Sequence, residues 1–203
     1  ETLRNIPFAI DDHLDVQKAD RVNILLNARA HLLGACGDVL VNDSPGPRFA
    51  YFDGDFEYAT HKGAIVTEIA GNPFGGSPEA FASTVRGHML YQVFGAPAAF
   101  VSSRDENTLR PFKEVVAFNA PLNKDGHDFC KTGIKTTSLG SSSDLRMGIA
   151  LCIGDSLKTE ASGRVSGVNS VGDDRFRTLI QEVTRAMIPS QDAEDVGDGG
   201  NIN

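Results

Sequence analysis

Apolar residues recur along this chain with two periods, and each change of period marks a new element. Ala19, Val22, Leu26, Ala30 and Leu33 fall at helical spacing, which predicts a helix over residues 16–35, with Asp15 as its cap. Residues 38–42 read as a short strand, and residues 43–47 as a Pro-Gly turn. Phe49 to Phe52 and Phe56 to Thr60 read as a hairpin around Asp53-Gly54. Ala64 to Ile69 follows as a strand that runs into the loop Gly71-Asn72-Pro73-Phe74-Gly75-Gly76. Ser77-Pro78-Glu79 then starts a helix: the serine can cap free N–H groups, and proline suits the first helical position. Phe81, Val85, Met89 and Val93 carry that helix to about Phe94, with Gly95 as its stop.

Pro97 to Ser103 reads as the next strand. A helix joins it to the strand at Ala64, so the two are candidates for parallel neighbours. Residues 104–110 read as a loop, Lys113 to Phe118 as a strand, and residues 119–133 as a long polar connection without structure of its own. Ile134 to Leu139, Leu145 to Ile153 and Glu160 to Val168 are further strands. Leu145 to Ile153 is the most apolar and is expected in the middle of the sheet. The last helix, over 173–188, is capped by Asp173 and presents Phe176, Leu179, Ile180, Val183, Ala186 and Met187 on one face. From Ser190 the chain is Gly, Asp and Asn with little to bury, which predicts a disordered acidic tail over 190–203 after a single domain over 1–189. The fold class is α+β: a mixed sheet with helices 16–35, 78–94 and 173–188 packed mainly on one face.

Composition narrows the function classes. The net charge of −8 over 203 residues, with no basic stripe, argues against nucleic acid as a partner. No apolar run approaches the ~20 residues of a membrane helix, and the N-terminus shows no signal-peptide pattern, so neither a membrane nor export is expected. The chain does not start with Met, which suggests trimming or processing. Cys36, Cys130 and Cys152 are odd in number and far apart. That reads against a disulfide framework and for a reducing, cytoplasmic setting, with Cys36 and Cys152 as small core residues.

Three stretches could carry chemistry. Gly71, Asn72, Gly75, Gly76 and Ser77 form a glycine loop at a helix N-terminus, where an anionic or carbonyl-bearing ligand could sit; the pattern matches neither phosphate-loop nor dinucleotide fingerprints. Lys124, Asp125 and His127, beside Asp128 and Cys130, could supply a charge partner and acid–base groups. A second ligand pair at metal spacing is missing, so no metal and no cofactor are expected. Glu57 is expected inside a strand, where an inward-facing carboxylate without a partner would have a raised pKa. Each stretch also reads as ordinary structure: a loop needing positive φ, a solvated polar loop, and a hairpin with acidic flanks.

Several pieces, in order, resemble the bacterial "amino acid synthesis" family. They are Gly54-Asp55-Phe56-Glu57-Tyr58-Ala59-Thr60, then Gly71-Asn72-Pro73-Phe74, Phe94-Gly95-Ala96-Pro97, Ala120-Pro121-Leu122-Asn123-Lys124-Asp125, and the apolar run from Asp144 to Asp155. Together they span residues 50–168. The family's Pro-Leu-His-His-Lys-Asp is one residue shorter here, and the last helix and tail have no counterpart. The resemblance implies a fold similar to the chorismate-mutase-like and RidA-like group, a homo-oligomer, most often a trimer, and a small-molecule ligand in a cleft between subunits. The expected function is thus a small-molecule enzyme, of hydrolase, lyase or isomerase type, or a ligand-binding protein, with Glu57, the 71–77 loop and the Lys124-Asp125 pair at its site. The alternative is a non-catalytic assembly or shell protein.

Overall fold

Period-two alternation along the chain becomes a mixed six-stranded sheet in the computed structural model, which describes residues 39–42, 54–93, 98–131, 134–136 and 144–188, all within the unit Val39–Asn203. The strands are β1 (Val39–Asn42), β2 (Ala64–Ala70), β3 (Ala99–Val101), β4 (Phe112–Phe118), β5 (Asp144–Ile153) and β6 (Ser156–Ser166). The helices are α1 (Asp55–Thr60), α2 (Pro78–Met89), α3 (Gly126–Cys130) and α4 (Asp174–Met187). The strand order is β1-β6-β5-β4-β2-β3. β2 is parallel to β3 and to β4, as a helical crossover requires, and the remaining pairs are antiparallel. The α+β class and the interior place of β5 are as the pattern predicts. The helix over 16–35, the turn over 43–47 and the tail over 190–203 lie outside the described residues.

The two faces of the sheet are built from different residues. Leu145, Met147, Ile149 and Leu151 of β5 and Val116 and Phe118 of β4 point to one face and are buried there under α1, α2 and α4. Phe176, Leu179, Ile180, Val183 and Met187 of α4 are fully buried on this major face. α4 comes so close to β6 that a Cβ on Gly163 would lie 2.6 Å from Val183 Cγ2 and 2.9 Å from Leu179 Cδ1. The other, minor face carries Val115, Ala117, Ala150, Cys152 and Leu157, and α3 covers part of it with Phe129 and Cys130. Three of the four described helices thus share one face, and the fourth crosses to the other.

Four expectations change. Asp55–Thr60 is a helix, not half of a hairpin: Gly54, at φ 89°, starts it, Tyr58 N–H donates to Gly54 C=O at 2.8 Å, and Phe56, Ala59 and Thr60 bury one helical face. The hairpin's other half, Phe49 to Phe52, lies outside the described residues. α2 ends at Met89 rather than Phe94, because Leu90 is extended and Tyr91 is left-handed at φ 61°. Gln92 holds this end, donating to Leu90 C=O at 2.8 Å and accepting from Arg185 of α4 at 2.7 Å. The connection 119–133 contains α3, and residues 134–136 are not in a strand. Residues 137–139 lie outside the described residues.

The fourth change concerns cysteine. Cys130 and Cys152 form a disulfide, with Cα atoms 5.5 Å apart. Spacing alone could not show this, because α3 is what lays Cys130 over β5. Alkylation of the unfolded, unreduced chain is expected to label one of its three cysteines; labelling of all three would contradict the bond. Val183→Ala, in the fully buried row of α4, is expected to destabilise the fold by about 2–4 kcal/mol in urea unfolding. A change near zero would place that row outside the core.

Candidate functional site

Among the described residues the minor face is only partly covered, and what they leave open is a groove. Its floor is lean because of residue parity. Where the major face of β5 carries Met147 and Ile149, the minor face carries Gly148 and Ala150, beside Ala117 of β4 and Ser162 of β6. Gly148 is required here, since a Cβ would meet Phe129 Cε2 at 2.5 Å. The groove encloses about 470 Å³.

One wall is the segment 120–125, and Asn119 turns it onto this face. Asn119 is left-handed at φ 50°, a conformation asparagine tolerates. Its N–H donates to Arg146 C=O and its Oδ1 accepts from Arg146 N–H, each at 3.0 Å, so it extends the ladder of β4 while the chain leaves it. α3 then closes the wall. Asp125 caps it by accepting from Asp128 N–H at 3.2 Å, and Glu160 of β6 accepts from Gly126 N–H at 2.5 Å. Phe129 rests on Gly148, and the Cys130–Cys152 bond fixes the last residue.

Charge in the groove is segregated. Arg146 of β5 and Arg164 of β6 are directly opposite one another in the ladder, and among the described residues neither pairs with a carboxylate. Like charges facing across a ladder disfavour the pairing. Glu160 and Asp125 mark the other end. Burial pushes the Glu160 carboxyl above the ordinary range and Asp125 adds to this, while the Gly126 N–H and His127 pull it down. Lys124 reaches Asp128 at 3.0 Å, and that contact holds the Asp128 carboxyl below its usual value.

The sequence-predicted residues divide among three places. Lys124 and Asp125 line the groove, and the exposed His127 follows them in α3. The glycine loop leaves the same end of the sheet but turns to the other face. Gly71 passes so near β4 that a Cβ would lie 2.8 Å from Phe118 C=O. Asn72 is occupied with the loop itself, donating to Gly75 C=O at 2.7 Å and accepting from Phe74 N–H at 3.2 Å. Phe74 packs edge-on against Phe81 and Phe176 of the major core. Gly75 and Gly76 are left-handed. Ser77 caps α2, accepting from Ala80 N–H at 3.2 Å and donating to Glu79 at 3.0 Å, so a carboxylate already faces that helix end.

Glu57 is exposed on a helix rather than inside a strand. Its neighbour Tyr58 touches Phe112 at the start of β4, whereas Lys124 and Asp125 follow the end of that strand. The structure therefore brings Lys124 and Asp125 to one groove, with Glu57 at the opposite end of the sheet and Ser77 on the opposite face.

The buried carboxylate that sequence reasoning sought at Glu57 exists, at Glu114. It is fully buried in β4, aligned with Phe112, Val116 and Phe118 on the major face. Oε2 accepts from the Thr67 hydroxyl at 3.2 Å, and Oε1 has no hydrogen-bond partner among the described residues. Burial pushes its pKa from 4.5 up to about 8, against a smaller opposing pull from Thr67. A Glu inside the apolar run Phe112–Phe118 was the available signal. No comparable signal marked Arg146 and Arg164, whose pairing depends on strand register.

No family model matches this chain, and no curated protein matches it. The resemblance to the "amino acid synthesis" family therefore rests on the quoted residues alone. Among solved structures, two of the PelC dodecamer from Paraburkholderia phytofirmans, one of them a point variant, are similar to it at 13% identity. They match over 73% of this chain and 97% of theirs, with TM-scores of 0.39 and 0.40, too slight a likeness to carry fold or function across. No helix among the described residues is long and apolar enough to cross a membrane.

Glu114 gives a pH prediction. Its folded pKa lies above its unfolded one, so its contribution is fully favourable below about pH 4.5 and is lost as pH rises through about 8. Stability should fall over that window, by on the order of 1.4 kcal/mol per pH unit at most. Urea unfolding at both ends of the window should show Glu114→Gln with a flatter profile and greater stability than wild type on the alkaline side. An unchanged profile would place the titration elsewhere.

Proposed function

We propose that this protein binds a small anionic molecule in the groove on the minor face of its sheet. The observation that carries the reading is the Arg146–Arg164 pair, set side by side on adjacent strands without a carboxylate partner among the described residues, above a floor of small side chains. An oxyanion between the two guanidinium groups relieves their repulsion and accepts planar, charge-assisted hydrogen bonds. Lys124 adds a further cation on the wall, although its contact with Asp128 competes for it. Leu122 and Leu40, both exposed to solvent at the groove, give the body of a ligand an apolar surface to cover.

This reading keeps the ligand-binding half of the sequence expectation and moves the anion from the Ser77 helix end to the arginine pair. A homo-oligomer is an expectation of the family resemblance; light scattering that returned the mass of a single chain at micromolar concentration would remove it. The Cys130–Cys152 bond favours an oxidising compartment over the cytoplasm, because structural disulfides persist where thiols are not kept reduced.

Sulfate, inorganic phosphate and succinate test the proposal. At least one of them should raise the melting temperature in a saturable way, since a ligand of the native state stabilises it. Arg164→Ala should weaken that binding about tenfold or more. The same substitution should leave the melting temperature of the free protein unchanged or slightly higher, because it removes a like-charge contact. If none of these anions shifts the melting temperature, or if the variant binds as wild type does, the proposal fails.

A further inference from the structure

The groove carries unneutralised charge of opposite sign at its two ends. Arg164 and Glu160 both line it and lie four residues apart on β6, on the same face. At about 3.3 Å per residue their backbone positions are separated by ~13 Å. No ion pair joins them in the structure, and Ser162 and Gly148 leave the floor between them low. The cationic end has Arg146 beside Arg164. The acidic end has Glu160 beside Asp125, whose hydrogen bonds in the structure come from backbone N–H groups of α3. Among the described residues no Lys or Arg pairs with either carboxylate; Lys124, the nearest in sequence, reaches Asp128 instead. A simple anion satisfies only the arginine end.

We infer that the ligand is an extended zwitterion, with its oxyanion between Arg146 and Arg164 and its ammonium group against Glu160 and Asp125. The inference rests on the reading of the groove as an anion site and adds the second charge and the spacing. A four-residue extended peptide has the matching length, because its termini are separated by the same rise per residue as the strand beneath it. An ammonium at the acidic end offsets the repulsion between Glu160 and Asp125 and the desolvation of Glu160.

Calorimetric titration of the full chain, with its disulfide intact, tests this using tetraglycine with both termini free, its N-acetyl form and its C-terminal amide. The free peptide should bind about tenfold or more tightly than either blocked form. Glu160→Gln retains an oxygen for the Gly126 N–H, so its melting temperature should stay close to wild type, while the preference for the free peptide over the acetylated one should vanish. Equal binding of the free and acetylated peptides would overturn the zwitterion and leave the anion reading intact. Binding of sulfate without any binding of the peptides would do the same. Failure of both sulfate and peptides would overturn both readings.

Discussion

The alternation of side chains along β5 sets most of what this structure does. One face of that strand presents Leu145, Met147, Ile149 and Leu151, and the other presents Arg146, Gly148, Ala150 and Cys152. Because the strand lies inside the sheet, its two faces lie on the two faces of the sheet. The large side needs cover, and α1, α2 and α4 provide it. The lean side cannot support a second full core. Among the described residues it takes one short helix, fixed by Phe129 over Gly148 and by the bond from Cys130 to Cys152, and the rest is a groove. A one-residue slip of register would exchange these faces and lose both the core and the groove.

The groove's electrostatics follow from the same register. Pairing Met147 with Gly163 on the major face necessarily sets Arg146 against Arg164 on the minor one. Pairing Ile149 with Ala161 likewise sets Ala150 against Glu160, which reaches up to the first N–H of α3. Cationic and acidic groups are thereby held along one strand without pairing with each other. Glu114, by contrast, is buried on the major face, where the Thr67 hydroxyl donates to Oε2 and Oε1 has no partner among the described residues. Its raised pKa is a property of the core, not of the groove.

The sequence was most informative where one element buries one continuous face. α4 matched its expected face because Phe176, Leu179, Ile180, Val183 and Met187 make one stripe. The parallel pairing of β2 and β3 followed from the helix between them. It was least informative where short elements depend on tertiary contacts. The six residues of α1 have a helical burial pattern, yet Asp53-Gly54 reads as a hairpin turn until Phe56 is seen in the core. The five residues of α3, Gly-His-Asp-Phe-Cys, are too few to show a period, and their order comes from Glu160, Gly148 and Cys152, each distant in sequence. Lys124 and Asp125 could be named in advance because they form a local cluster of charge. Arg146, Arg164 and Glu160 could not, since their juxtaposition exists only once β5 and β6 pair.

Mapping backbone amide shifts by NMR during a sulfate titration separates the groove from the helix end at Ser77. Occupation of the groove predicts the largest shifts at Arg146, Gly148, Ser162 and Arg164, with those at 72–77 nearly unmoved. Shifts centred on 72–77, with the β5 and β6 amides unchanged, would contradict it and return the anion to the N-terminus of α2.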